Sequence, residues 1–134
     1  MLAIMLALIP VLSHPMDKEF ECLARNVYYE ARGESKPGKV AVALVTLNRL
    51  DSAKYPKTIC SVVFQKKQFS WTTKWKGSKL EAKQWKESKD AAFEAYMNRN
   101  SLGKFTATHY HNLTVKPKWG LKKLTKIGNH IFYV

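Results

Sequence analysis

A helix-rich α+β domain is the fold class this sequence predicts, and three observations carry it. Apolar residues recur at helical spacing at Phe20, Leu23, Ala24, Val27 and Ala31, and again at Ala82, Trp85, Ala92, Phe93 and Tyr96. Between them, the stretch 40–47 is almost wholly apolar, and its alanines and leucines suit a buried helix better than a strand. The end of the chain then changes period: "ATHYHN" alternates and "HIFYV" follows a Gly-Asn pair, which predicts a small antiparallel pair of strands, a C-terminal β-hairpin. The chain's 134 residues are enough to bury one core, and an apolar content of 46% excludes a disordered polymer.

The elements follow in order. "MLAIMLALIPVLS" is an apolar run shorter than the roughly 20 residues needed to span a bilayer. Its length is that of a secretory core segment. No Lys or Arg precedes it and no small-x-small site follows it, so an ordinary N-terminal helix is the alternative to an export signal or anchor. Residues 1–15 are therefore set apart as an apolar leader and 16–134 as the domain. A helix is expected over about 17–32, with Asp17 as N-cap and Gly33 as its stop. Pro37 stands near the start of the second helix, and a short third helix is expected around "TICSVVFQ". Residues 66–79 are polar, basic and aromatic, a surface loop, and a further helix runs from Leu80 to Asn100. No internal repeat or linker divides the chain.

Charge narrows the partners without choosing one. With 23 Lys+Arg against 10 Asp+Glu, the net charge of +13 calls for an anionic partner: nucleic acid, anionic lipid or the acidic polymers of a bacterial envelope. The two cysteines, Cys22 and Cys60, have no zinc-finger spacing. In an exported chain a disulfide is their simplest state, and two buried thiols are the alternative.

Glu30, in "NVYYEARGE", holds the strongest chemical signal. It sits beside Ala31 at the edge of the buried stripe, where loss of water favours the neutral carboxyl and raises its pKa. A carboxylic acid kept protonated near neutrality is what a glycosidase needs to protonate a leaving oxygen. Tyr28 and Tyr29 flank it, and aromatic rings suit sugar faces. The competing reading is a surface glutamate paired with Arg25 or Arg32. A second candidate is "THYH": His109 and His111, with His130, have the residue types of a three-histidine zinc site. Alternating polar residues are equally expected on an exposed strand. A third is the loop with Phe69, Trp71 and Trp75, whose interleaved lysines and rings suit a base, a sugar or simply water.

Together "CLARNVYYEARGE", "GKVAVALVTLNRL", "YPKTICSVVFQKKQFSW", "THYHN" and "IGNHIFY" resemble, in order, the SleB-like cell-wall hydrolases, the family of the spore-cortex-lytic enzymes. The resemblance spans about residues 20–133. It implies a lysozyme-like catalytic domain acting on peptidoglycan glycan strands as a lytic transglycosylase, without cofactor or metal. The family's catalytic glutamate falls on Glu30. Glu34, Tyr28, Tyr29, Phe69 and Trp71 are the supporting or substrate-binding candidates on the first part of the chain. His109, Tyr110, His111 and Trp119 are those of the last part. The paired cysteines resemble the envelope-exported versions of the family. The implied partners are peptidoglycan and anionic envelope polymers rather than nucleic acid, with a membrane contact through the leader. The implied place of action is outside the cytoplasm, for a bacterial or a phage gene. The competing classes are a zinc amidase cutting the muramoyl–alanine bond and a non-enzymatic cationic envelope-binding module.

Overall fold

The computed structural model describes residues 15–65, 80–99 and 104–134. Helix α1 runs Pro15–Ala31, α2 Lys36–Leu50, α3 Ile59–Val63 and α4 Ala82–Asn98. Strands β1 (His109–Asn112), β2 (Lys123–Ile127) and β3 (His130–Tyr133) follow. Asp17 lies inside α1 and does not cap it.

Helix α2 is the centre of the molecule. Ser35 precedes it, Pro37 sits in its first turn, and every residue from Gly38 to Leu47 is buried. A helix that is apolar all round must be covered all round. On one side Val40, Ala43, Leu44 and Leu47 meet Leu23, Ala24 and Val27 of α1 and Ala91, Ala92 and Ala95 of α4. The alanines let the helix axes approach closely, and each fully buried Leu or Val contributes about 1.5–3 kcal/mol. On the other side Ala41, Val42 and Val45 meet Ala107 and Phe132 of the sheet region, with Ala31 at the seam. One polar pair is buried between α1 and α2: Asn26 Nδ2 donates to Thr46 Oγ1 at 3.3 Å.

The C-terminal region is tied to α2 by side chains. Asn48 Nδ2 donates to the carbonyls of Phe105 (2.8 Å) and Ala107 (2.9 Å), and Arg49 Nε donates to that of Thr108 (2.8 Å). These bonds deliver the chain into β1 at a fixed height on the helix.

The two expected strands do pair: β1 and β3 are antiparallel, with Tyr110 opposite Phe132 and Asn112 opposite His130. The sheet is larger than the expected hairpin, because β2 pairs with the other edge of β3 and gives the order β1-β3-β2. The hairpin itself joins β2 to β3 through Gly128 and Asn129. "KLTKI" hides its strand character because its apolar positions are few and a bulge lies between Lys123 and Thr125.

Cys22 of α1 and Cys60 of α3 form a disulfide with a Cα–Cα distance of 5.3 Å, closing a loop of separation 38. Thr58 caps α3 through its side chain, which accepts from the Ser61 N–H at 3.1 Å.

Candidate active site

Glu30 occupies the last turn of α1, at the seam where that helix meets both α2 and the sheet. Val27 and Ala31, its neighbours on the helix face, are buried, whereas Glu30 remains partly open. The Tyr110 hydroxyl, delivered by β1, donates to Glu30 Oε1 at 2.9 Å. Burial pushes the Glu30 carboxyl above its ordinary range; the Tyr110 bond and the Arg49 charge pull down but do not outweigh it. The phenol stays protonated, because burial, the Glu30 charge and the shared hydrogen bond hold Tyr110 well above its own ordinary value.

Arg49 is the cation of this site, and sequence reasoning missed it. It is buried, its Nε is fixed on Thr108, and its guanidinium lies 5.0 Å from the centre of the Tyr55 ring. Burial pulls its pKa down, opposed by Tyr55, Tyr110 and Glu30. A charged residue inside the "LVTLNRL" run was the available signal. Arg25 pairs instead with Glu21 at 2.9 Å, and Arg32 lies over the Tyr28 ring at 5.1 Å. The anticipated surface pairing of Glu30 with either of them is not what the fold builds.

Glu34 has a different task. Its Oε1 accepts from the Asn129 backbone N–H at 2.9 Å and its Oε2 from Asn129 Nδ2 at 3.0 Å. Lys39 Nζ bonds the Glu34 carbonyl, and His130 Nδ1 lies 3.9 Å from Oε1. Burial pushes this carboxyl up, but the two Asn129 bonds, His130 and Lys39 outweigh it and leave the pKa low. Because burial also lowers the His130 pKa, that ring is neutral at neutral pH and the Asn129 bonds carry the hold. Gly128 has φ +57°, a conformation strained for residues with a side chain, and a Cβ there would push Glu34 Oε1 out of its place. Glu34 thus clamps the β2–β3 turn onto the start of α2.

The remaining candidates divide. Tyr28 is a correction: it is 1% exposed and its hydroxyl accepts from the Glu81 N–H at the start of α4 (3.0 Å), so it is a core residue with no face for a sugar. Tyr29 packs on the helical core, edge-on to Tyr28 at 5.0 Å. Phe69 and Trp71 lie outside the described residues. His109 and His111 point to the face of β1 opposite Tyr110, together with Tyr133, and Trp119 packs on them there. His130 shares the inner face, 5.1 Å from Tyr110 ring to ring. The pleat therefore separates the histidines that a three-histidine zinc site needs on one side. Among the described residues no group of three His, Cys, Asp or Glu is placed to hold a metal.

A partly open glutamate whose pKa is raised by burial, bonded to a phenol and within reach of an arginine's charge, is a site with the chemistry of a general acid, set in a helix-rich α+β domain. Comparison with known proteins then places the chain: the model of the cell wall hydrolase family matches residues 33–133, and the chain belongs to that family. The spore cortex-lytic enzymes of Oceanobacillus iheyensis and Bacillus cereus are each 34% identical over 85% of this chain. The chain spans about two-fifths of their length, 41% and 43%. The catalytic domain of the germination-specific lytic transglycosylase SleB from Bacillus anthracis superposes with a TM-score of 0.75 at 30% identity, covering 91% of this chain and 98% of that one. The catalytic domain of Bacillus cereus SleB gives 0.71 at 30% identity, covering 87% and 89%.

Proposed function

We propose that this chain is a peptidoglycan-cleaving lytic transglycosylase acting between N-acetylmuramic acid and N-acetylglucosamine, with Glu30 as its single acid–base. The observation that carries the reading is the solitude of that raised carboxyl. Among the described residues the charge acting on Glu30 is Arg49, and no second carboxylate contributes. The segments 1–14, 66–79 and 100–103 contain no Asp or Glu at all. A retaining glycosidase with a protein nucleophile needs a second carboxyl about 5–5.5 Å away. Glu34, the nearest acid in sequence, has both oxygens engaged by Asn129.

One carboxyl suffices when the nucleophile belongs to the substrate. Protonated Glu30 gives its proton to the glycosidic oxygen as the C1–O bond breaks. The muramyl 6-hydroxyl attacks C1, and the Glu30 carboxylate takes up the hydroxyl proton, restoring the acid. No water is consumed, and the product ends in a 1,6-anhydro ring. Tyr110 steadies the carboxylate stage by donating to Oε1, and Arg49 favours the same charged form. The relatives' names, cortex-lytic enzyme and lytic transglycosylase, support this reaction.

Action on the wall outside the cytoplasm follows from that substrate, and the Cys22–Cys60 disulfide fits an oxidising compartment. Mass spectrometry of muropeptides released by the purified protein tests the reading. Anhydro-muramyl ends, lighter than hydrolytic ends by one water, support it. Free alanine amines without new glycan ends would replace it with an amidase.

A further inference from the structure

The outer face of the sheet is used by nothing described so far. The register places His109 and His111 of β1, Ile131 and Tyr133 of β3, and Lys123 and Lys126 of β2 on that face. The segment between β1 and β2 lays Trp119 over it, with ring centres 5.3 Å from His109, 5.6 Å from His111 and 5.3 Å from Tyr133. His111 stacks on Tyr133 at 5.3 Å, and its Nε2 and the Tyr133 hydroxyl are 2.8 Å apart. Trp119 nevertheless stays 39% exposed. Lys123 and Lys126 are exposed and make no ion pair among the described residues. A braced tryptophan beside two free cations is thus held on the side of β1 that faces away from Glu30.

We infer that this outer face is a second, non-catalytic site for the peptidoglycan strand, in which Trp119 and Tyr133 stack on sugar rings while Lys123 and Lys126 pair with the carboxylates of the stem peptides. The inference rests on the wall-cleaving reading and specifies how the enzyme stays on its polymer between cuts. Each half of the surface matches one half of that polymer: uncharged sugars present apolar faces to aromatic rings, and the peptide branches present carboxylates. The rings are fixed before binding by their mutual packing, so little rotamer freedom is lost when a sugar arrives. His109 contributes as a neutral ring, since burial and the charges of Arg49 and Lys54 hold its pKa down. The pleat also keeps the two sites apart, because side chains two residues apart share a face and Tyr110 points the other way.

The test uses the full chain carrying Glu30→Gln, so that binding to sacculi is read without turnover. Adding Lys123→Glu and Lys126→Glu, two exposed changes that leave the packed rings in place, is expected to weaken co-sedimentation with intact sacculi about fivefold. Sacculi stripped of stem peptides are expected to bind both proteins equally, and Trp119→Ala is expected to weaken binding to intact and stripped sacculi alike. With Glu30 restored, the lysine pair is expected to leave turnover of short soluble glycans within about twofold. Equal binding of the two proteins to intact sacculi would overturn the inference. So would an equal loss on short glycans, which would put the lysines in the cleft, or competition by single-stranded DNA as strong as by peptidoglycan, which would make the face a general polyanion site. A wild-type protein that releases no anhydro ends sinks the catalytic reading alone, because the binding measurements are made on the inactive variant.

Discussion

Glu30 and Glu34 are four positions apart in sequence, one in the last turn of α1 and the other in the turn that follows, and both reach toward the sheet. Glu30 meets one hydrogen-bond donor, Tyr110, and burial dominates it. Glu34 is pushed up by burial too, but two donors from Asn129 satisfy both its oxygens, and those bonds together with His130 and Lys39 outweigh the burial. The same side chain is thereby a weaker acid than usual in one place and a stronger one in the other. The number of donors offered to the charged form decides which, because burial alone pushes both in the same direction. The satisfied carboxyl holds the β2–β3 turn, and the under-satisfied one is the carboxyl for which proton transfer is proposed.

The sharpest break of this comparison is Glu30→Gln, which leaves the shape and removes the proton. Turnover of purified peptidoglycan is expected to fall about 10²–10⁴-fold with the circular dichroism spectrum unchanged. Near-wild-type rates in this variant together with an inactive Glu34→Gln would reverse the two roles.

Next in size is the disulfide between α1 and α3. Replacing Cys22 and Cys60 by alanine is expected to cost about 2–4 kcal/mol in urea unfolding while leaving the pH profile of turnover in place. A profile that moved would mean that the α1–α3 link sets the Glu30 environment and not only the stability of the domain.

Glu34→Gln is expected to cost about 1–3 kcal/mol, because one bond to a charged acceptor is lost and the other weakens. Its pH dependence has a definite sign. The folded pKa of Glu34 is lowered, so its stabilisation is present above the unfolded pKa and lost as pH falls through the folded one. The stability gap between wild type and Glu34→Gln should therefore close on acidification. Glu30 behaves oppositely: its folded pKa is raised, so the advantage of its neutral form is present below the unfolded pKa and lost as pH rises through the folded one. Glu30→Gln should therefore gain on wild type as pH rises. Denaturation series of both variants across the acid range check the pair; curves of the same sign would erase the distinction.

The smallest effect is expected from Tyr110→Phe. Removing a donor to the carboxylate raises the Glu30 pKa further, so the alkaline limb of the pH–activity curve should move to higher pH. A limb that stays in place would mean that the Tyr110 bond does not reach the titrating carboxyl in solution.

Much of this was legible in the chain itself. The helical period around Leu23 and Val27 and the apolar run at 40–47 gave α1 and α2 because burial on a helix repeats with the helix. Glu30 was legible as a carboxylate at the edge of that stripe. Tyr28 misled for the opposite reason: a tyrosine two residues before Glu30 looks available to whatever Glu30 meets, yet a helix turns about 100° per residue, so residues two apart point to nearly opposite sides and Tyr28 is buried where Glu30 is partly open. Strand β2 was hidden because an exposed edge strand rich in lysine carries little apolar alternation. Arg49 was hidden because its partners, Thr108 and Tyr110, lie some sixty positions away.

The sequence by itself determined the helix-rich α+β class, a pair of short antiparallel strands within "ATHYHN" and "HIFYV", the cysteine pair available for a staple and the identity of the glutamate at the buried edge. These are local properties: periodicity, turn chemistry and composition act within a few residues. Only the tertiary structure decided that Tyr110 and Arg49 would meet Glu30, that Asn129 would satisfy Glu34, and that the histidines of β1 and β3 would fall on opposite faces. Such outcomes depend on strand register and on the height at which Asn48 and Arg49 dock the 105–108 segment. A shift of one residue in that register would turn Tyr110 away from Glu30 and bring His109 and His111 inward.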